Sequence, residues 1–190
     1  MATPKPRPAT YAEIEALPPN MVGEIVHGVL YAHPRPAPRH AVAQASLVDE
    51  VVSPFQKRCG GGLGGWVFAV EPELHIDGHV IVPDIAGWRT ATLPALPDTA
   101  HFEVAPDWVC EILSPSTARL DRTQKLGVYA GVGVGHAWYV DPDARTLEVF
   151  ALTAGQWLLA ATFADTEAVT TPPFAAHTVQ LDVLWPMGKS

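Results

Sequence analysis

Three features of this sequence predict a mixed α/β (α+β) domain. Short apolar runs with strand-like alternation recur along it, only three segments carry helical apolar spacing, and the last third alternates strand and turn. The chain has 190 residues, enough for one substantial core. Its 48% hydrophobic and 17% charged residues are those of a folded soluble protein.

Residues 1–9 are Pro-rich and expected to be disordered, with residues 10–190 as one domain. "TYAEIEALP" predicts a short helix, because Thr10 and Glu13 have capping-box spacing and Pro18 stops it. "GEIVHGVLYAHP" carries two β-like runs around His27-Gly28, a hairpin signal. The loop "HPRPAPRH" leads into "HAVAQASLVDEVVSPFQKR", whose apolar spacing suits an amphipathic helix. The glycines of 60–65 suggest a phosphate loop, but Trp66-Val67-Phe68 follows where a Lys-Ser/Thr and a helix are needed, so a flexible loop is expected.

Asp77-Gly78 is a type I′ hairpin signal. It pairs Ile76 with His79 and His75 with Val80, so His75 and His79 fall on opposite faces and do not share a metal. Residues 90–105 are loop-like, "WVCEIL" is a strand ended by "SPST", and "DRTQKLGVYAG" is a helix with Asp121 and Gln124 as a capping pair. "GHAWYV", "TLEVFAL" and "QWLLAATF" form a meander, and "VQLDVLW" is a last short element.

No run reaches the roughly 18 apolar residues of a membrane span, and "MATPKPRPAT" leads into no apolar signal core, so the expectation is cytoplasmic. Cys59 and Cys110 form no metal or disulfide framework; Cys110 alternates with Glu111 and reads as a buried small hydrophobe. The net charge of −8 is not that of a protein holding nucleic acid by general phosphate neutralisation. Either the chain does not bind nucleic acid, or its acids surround a metal while a local basic surface does the binding.

Glu111 is the oddity of the sequence, an acid within an apolar strand. Burying its ionised carboxylate unpartnered costs several kcal/mol or forces it to take up a proton. Asp84 follows Pro83 in a second apolar run. Two acids on adjacent strands converge at a sheet edge, where a hard divalent cation offsets their repulsion and activates water for phosphodiester hydrolysis. The other reading is a buried acid pair satisfied by backbone N–H groups or by Lys125.

Pro83-Asp84 followed by Glu111-Ile112-Leu113 resembles the PD-(D/E)XK nuclease signature. The strings "GEIVHGVLYAHPRPAPRH", "VIVPDIAGW" and "APDWVCEILSPSTARLDRTQKLGVYAGVGVGHAWYVDPDARTLEVF" are more specifically similar to the Uma-two family of restriction endonuclease-like proteins, over about residues 10–186. The resemblance implies a restriction-endonuclease-like core, a central mixed β-sheet flanked by helices. It implies Mg²⁺ or Mn²⁺ held by Asp84, Glu111 and the carbonyl of Ile112. Leu113 stands where the superfamily carries its lysine, and the resemblance puts Lys125 in that role as a migrated lysine. By spacing alone, Asp121 caps the helix and pairs with Lys125 on the surface.

Glu24 is similar to an acid of the family that lies near the metal; a solvated hairpin acid is the alternative. His40 resembles a family histidine, touching phosphate or capping a helix. Tyr129 faces the same pocket or packs, and Arg35 and Arg39 are candidate phosphate contacts. The leading expectation is therefore a Mg²⁺-dependent endonuclease acting on DNA, as a homodimer whose late strands expose apolar residues. The alternative is a catalytically inactive nuclease-fold protein that acts as a binding or interaction module. A zinc hydrolase lacks HExxH-like spacing.

Overall fold

The computed structural model describes residues 7–57 and 64–186. Most of the glycine run 60–65 and Cys59 therefore lie outside the described residues, as does most of the segment 1–9. The end of that segment is ordered against the first hairpin, where Ala9 N–H donates to Gly28 O at 2.8 Å. Thr10 opens α1 (Tyr11–Glu15), and its N–H donates to Glu13 Oε2 at 2.8 Å, the reciprocal half of a capping box.

The strands β1 (Met21–Val26) and β2 (Val29–Pro34) pair across His27-Gly28, both at positive φ, the turn that matches strand twist. After α2 (Pro38–Phe55) come β3 (Trp66–Val70), β4 (Leu74–Ile76), β5 (His79–Ile81), β6 (Ile85–Arg89) and β7 (Trp108–Ile112). Asp77 and Gly78 turn β4 into β5 in the expected register, Ile76 opposite His79. The helical stretch after "SPST" begins earlier than expected, as α3 (Ala118–Leu120), a π turn (Asp121–Lys125) and α4 (Leu126–Gly131). Asp121 is consequently not a cap: it lies inside continuous helix and is buried. Its carbonyl accepts from Leu126 N–H, five residues on, and from the Tyr139 hydroxyl at 2.6 Å, and this is where the ladder widens.

Then follow β8 (His136–Asp141), β9 (Thr146–Thr153), β10 (Gln156–Ala164), the short β11 (Ala168–Val169) and β12 (Val179–Gln180), and a 3₁₀ turn at Leu181–Leu184. The large sheet has the order β10-β9-β8-β7-β6-β3, with only β7 and β8 parallel, so it is mixed. A four-stranded sheet, β2-β1-β5-β4, stands beside it. β7 runs through the middle, and its alternation divides the core. Trp108, Cys110 and Ile112 pack with α2 and an aromatic group around Phe174, while Val109 faces α4 and the smaller sheet. β8 is internal as well: Trp138, Tyr139 and Val140 are buried, so this part of the meander is not the exposed pairing surface the sequence suggested. The large apolar residues exposed late in the chain, among the described residues, are Leu158 and Leu159 on the edge strand β10 and Val183 in the last 3₁₀ turn.

Candidate active site

The chain crosses from the small sheet to the large one through Val82-Pro83-Asp84, and the site is built on that crossing. Asp84 lies one residue before β6. Ile85 is opposite Cys110, so the antiparallel register carried one step further sets Asp84 beside Glu111. The ladder stops there because the Asp84 side chain takes the next strand donor: Oδ2 accepts from Ile112 N–H at 2.6 Å. Oδ1 bonds His40 Nε2 at 2.8 Å, and the Asp84 carbonyl accepts from Gln44 Nε2 at 2.8 Å and Glu71 N–H at 2.9 Å. Asp84 is thus fixed at both ends by α2, whose His40 and Gln44 sit one turn apart on the buried face. The Nδ1 of His40 is buried without a partner among the described residues.

Glu111 projects from β7 to the opposite face from Cys110 and is 1% exposed. Its Oε1 accepts from the Tyr129 hydroxyl at 2.5 Å and lies 2.9 Å from Lys125 Nζ. Glu111 lines a cavity of ≈ 260 Å³ together with Asp84, His40, Asp121 and Lys125. Burial pushes the Glu111 carboxyl well up, against the pull of Lys125, and the neighbouring Asp121, Asp84 and Glu24 add to the rise. Burial, with Asp84 and Glu111 nearby, likewise pushes the Cys110 thiol up, which removes it as a nucleophile.

Lys125 is 2% exposed and points inward, so the surface pair with Asp121 does not occur. Its ammonium lies 3.0 Å from Glu24 Oε1, 3.5 Å from Asp121 Oδ1 and donates to Val82 O at 3.1 Å. Burial opposes the charge, but Glu111 and then Glu24 outweigh it and hold the Lys125 pKa well above the usual lysine value. Asp121 is pushed up by burial although Lys125 pulls it down.

Glu24 is fully buried on β1, not solvated. Its Oε1 accepts from Val82 N–H at 2.8 Å, and Oε2 bonds His33 Nε2 at 3.2 Å. Burial works to raise its pKa, but Lys125, His33 and the Val82 amide bring it to about 2. The hydrogen bond to Glu24 raises His33, against burial. His33 shares the Glu24 face because Glu24 is opposite Tyr31, two residues away along β2.

Of the remaining residues singled out in the sequence, Tyr129, Ile112 and Arg35 adjoin the site and Arg39 does not. Tyr129 is buried beneath Glu111. Ile112 lends its N–H to Asp84 while its side chain packs in the α2-facing core. Leu113 is buried. Arg35 lines the cavity mouth, whereas Arg39 pairs with Asp143 at 3.0 Å on the surface. Sequence reasoning missed His33, Gln44 and the Val82 backbone. Gln44 was findable four residues after His40 on one helix face, and His33 from the hairpin register.

Glu24, Glu111 and Asp121 surround the Lys125 ammonium, and Asp84, Glu111 and Asp121 bring three carboxylates to the cavity wall beside the His33 and His40 imidazoles. The carboxylates suit a hard divalent cation.

The family described as "Putative restriction endonuclease", Uma2, matches residues 8–184. Among solved structures, the fold is similar to that of "a putative nuclease belonging to DUF820 from Anabaena variabilis ATCC 29413", with a TM-score of 0.75 at 24% identity. The likeness covers 94% of this chain and 98% of that one, and it establishes a restriction-endonuclease-like fold. No curated protein matches the chain. Among the described residues, no helix is long and apolar enough to cross a membrane.

Proposed function

Because the chain belongs to the Uma2 family of restriction endonuclease-like proteins, we propose that its cavity is the active site of a Mg²⁺- or Mn²⁺-dependent endonuclease that hydrolyses DNA phosphodiester bonds. The observation that carries this reading is the lining of one cavity by Asp84, Glu111 and Lys125, with the Lys125 ammonium 2.9 Å from Glu111 Oε1. Asp84 and Glu111 would hold the cation with the Ile112 carbonyl. Such an ion lowers the pKa of bound water and neutralises phosphate charge.

The rest of the chemistry belongs to the chain. Lys125 stays protonated, because Glu111 and Glu24 raise its pKa. It therefore acts as a donor and a fixed positive charge, not as a base. Coming from the π turn, it supplies the positive group that Leu113, two residues after Glu111 and on the same strand face, does not. Glu24 keeps the ammonium aimed, and His40 and Gln44 keep Asp84 aimed. Arg35 at the mouth is a basic group available to a flanking phosphate, and Arg39 would have to leave Asp143 to serve as a second. We further propose that residues 10–190 act as one domain in the cytoplasm, and as a homodimer paired along the β10 edge, since cutting two strands needs two sites.

A second reading rests on a specific observation. The three hydrogens of Lys125 are matched by Glu111, Glu24 and Val82 O, which also suits a purely structural ion cluster in a non-catalytic binding module. Cleavage of supercoiled plasmid DNA separates the two. The nuclease reading expects cleavage with Mg²⁺ or Mn²⁺, none with EDTA, and a loss of about 100-fold or more in Asp84→Ala, Glu111→Ala and Lys125→Ala. Nucleic-acid binding without cleavage of DNA or RNA by folded wild type would install the second reading.

A further inference from the structure

Away from the cavity, Glu73, His75 and His101 bring one oxygen and two nitrogen donors within 4.8 Å of one another. The sequence separates His75 from His79, and the register agrees, but it gives no sign of His101, 26 positions beyond His75. What joins them is a parallel bridge between Leu74 and Phe102. His75 N–H donates to Phe102 O at 2.8 Å, and Phe102 N–H donates to Glu73 O at 2.9 Å.

Alternation does the rest. Leu74 is fully buried and Phe102 stacks on Trp88 at 4.5 Å, so the flanking Glu73, His75, His101 and Glu103 turn to one outer face. The two imidazoles lie parallel with centroids 3.9 Å apart. His75 Nε2 meets Glu73 Oε1 at 2.7 Å, and the Tyr11 hydroxyl donates to the same oxygen at 2.9 Å. Glu103 Oε1 is 3.5 Å from His101 Nε2. Each of the three candidate donors keeps about a quarter of its side chain exposed, which leaves an ion a way in.

We propose that Glu73, His75 and His101 form a zinc site, distinct from the cavity of Asp84 and Glu111. Two imidazoles and a carboxylate are the donor set of borderline ions, not of Mg²⁺, and zinc accepts three protein ligands plus a water or a second carboxylate as the fourth ligand. Tetrahedral bonds of about 2 Å space donors roughly 3.3 Å apart, so only small side-chain rotations separate this arrangement from a closed site. Tyr11 supports the glutamate from outside, as an outer-shell partner orients a metal ligand. None of the three residues lines the cavity. The site's role is structural: it pins the segment around His101, and α1 through Tyr11, onto β4.

The test is zinc titration of EDTA-stripped protein against a chromogenic chelator, with thermal unfolding alongside. Wild type binds one equivalent with micromolar affinity and melts higher with zinc. His75→Ala and His101→Ala weaken binding by at least about tenfold and lose the rise in Tm, while Glu111→Ala keeps both. His101 lies outside the hairpin strands, so its variant reads the site even if His75→Ala fails to fold. Unchanged binding in both histidine variants, no binding by stripped wild type, or binding lost in Glu111→Ala and kept in His101→Ala would each overturn the proposal.

Discussion

Lys125→Met keeps the length of the side chain and removes the one ammonium that Glu24, Glu111 and Asp121 share. All four groups are at most 2% exposed, so the acids cannot turn to water for compensation. Breaking a buried pair by deleting one partner costs about 3–5 kcal/mol. For a chain of 190 residues, at about 2–4 °C per kcal/mol, Tm falls by roughly 6–20 °C.

The sign of the pH dependence is diagnostic. In wild type the folded pKa of Lys125 is raised, so its contribution is whole below the ordinary lysine value of 10.5 and fades only in stronger alkali. In the variant the acids lose their cation and bind protons more tightly folded than unfolded. Stability then falls as pH rises, by about 1.4 kcal/mol per pH unit for each proton so held. Urea unfolding followed by tryptophan fluorescence from pH 5 to pH 8 measures this. A loss below about 1 kcal/mol, or the same loss at both ends of the range, would refute the charge accounting and place the ammonium in bulk water.

Two further predictions follow from individual residues. Glu24→Gln removes a carboxylate whose pKa falls from 4.5 to about 2 on folding; its contribution of about 3 kcal/mol is complete above pH 4.5 and is lost as pH falls toward 2. Acid titration of unfolding should show wild type and variant converging in that window, and a constant gap would contradict the assignment. Gly87→Ala places a Cβ 2.9 Å from Phe68 Cε1 and 3.1 Å from Trp108 Cε3 in the middle of β6, which costs about 1–3 kcal/mol by overpacking; an unchanged denaturation midpoint would show that the aromatic layer yields.

Local signals carried most of the fold. The Asp77-Gly78 turn fixed its hairpin register residue by residue, because positive φ at two adjacent positions admits few alternatives. The alternation of Cys110 and Glu111 divided two faces of one strand, because a strand has a period of two. What stayed hidden depends on contacts distant in sequence. The helix before Lys125 starts at Ala118, where Ala118 N–H donates to Ser114 O, and its π turn meets the Tyr139 hydroxyl on β8 at Asp121 O, a contact that no local pattern records. For Glu24 the sequence left two readings, an acid near the site and a solvated hairpin acid, since nothing near it announces that Val82 and Lys125 cover it. β8 read as exposed because apolar composition alone cannot tell an internal strand from an edge.

The central claim is that two carboxylates, one from each of two neighbouring strand segments, hold a hard divalent ion. Calorimetric titration with Mg²⁺ and Mn²⁺ on wild type, Asp84→Ala and Glu111→Ala tests it most directly. The account predicts one binding event in wild type that both substitutions abolish. Equal heats in all three proteins, or none in folded wild type, would contradict it.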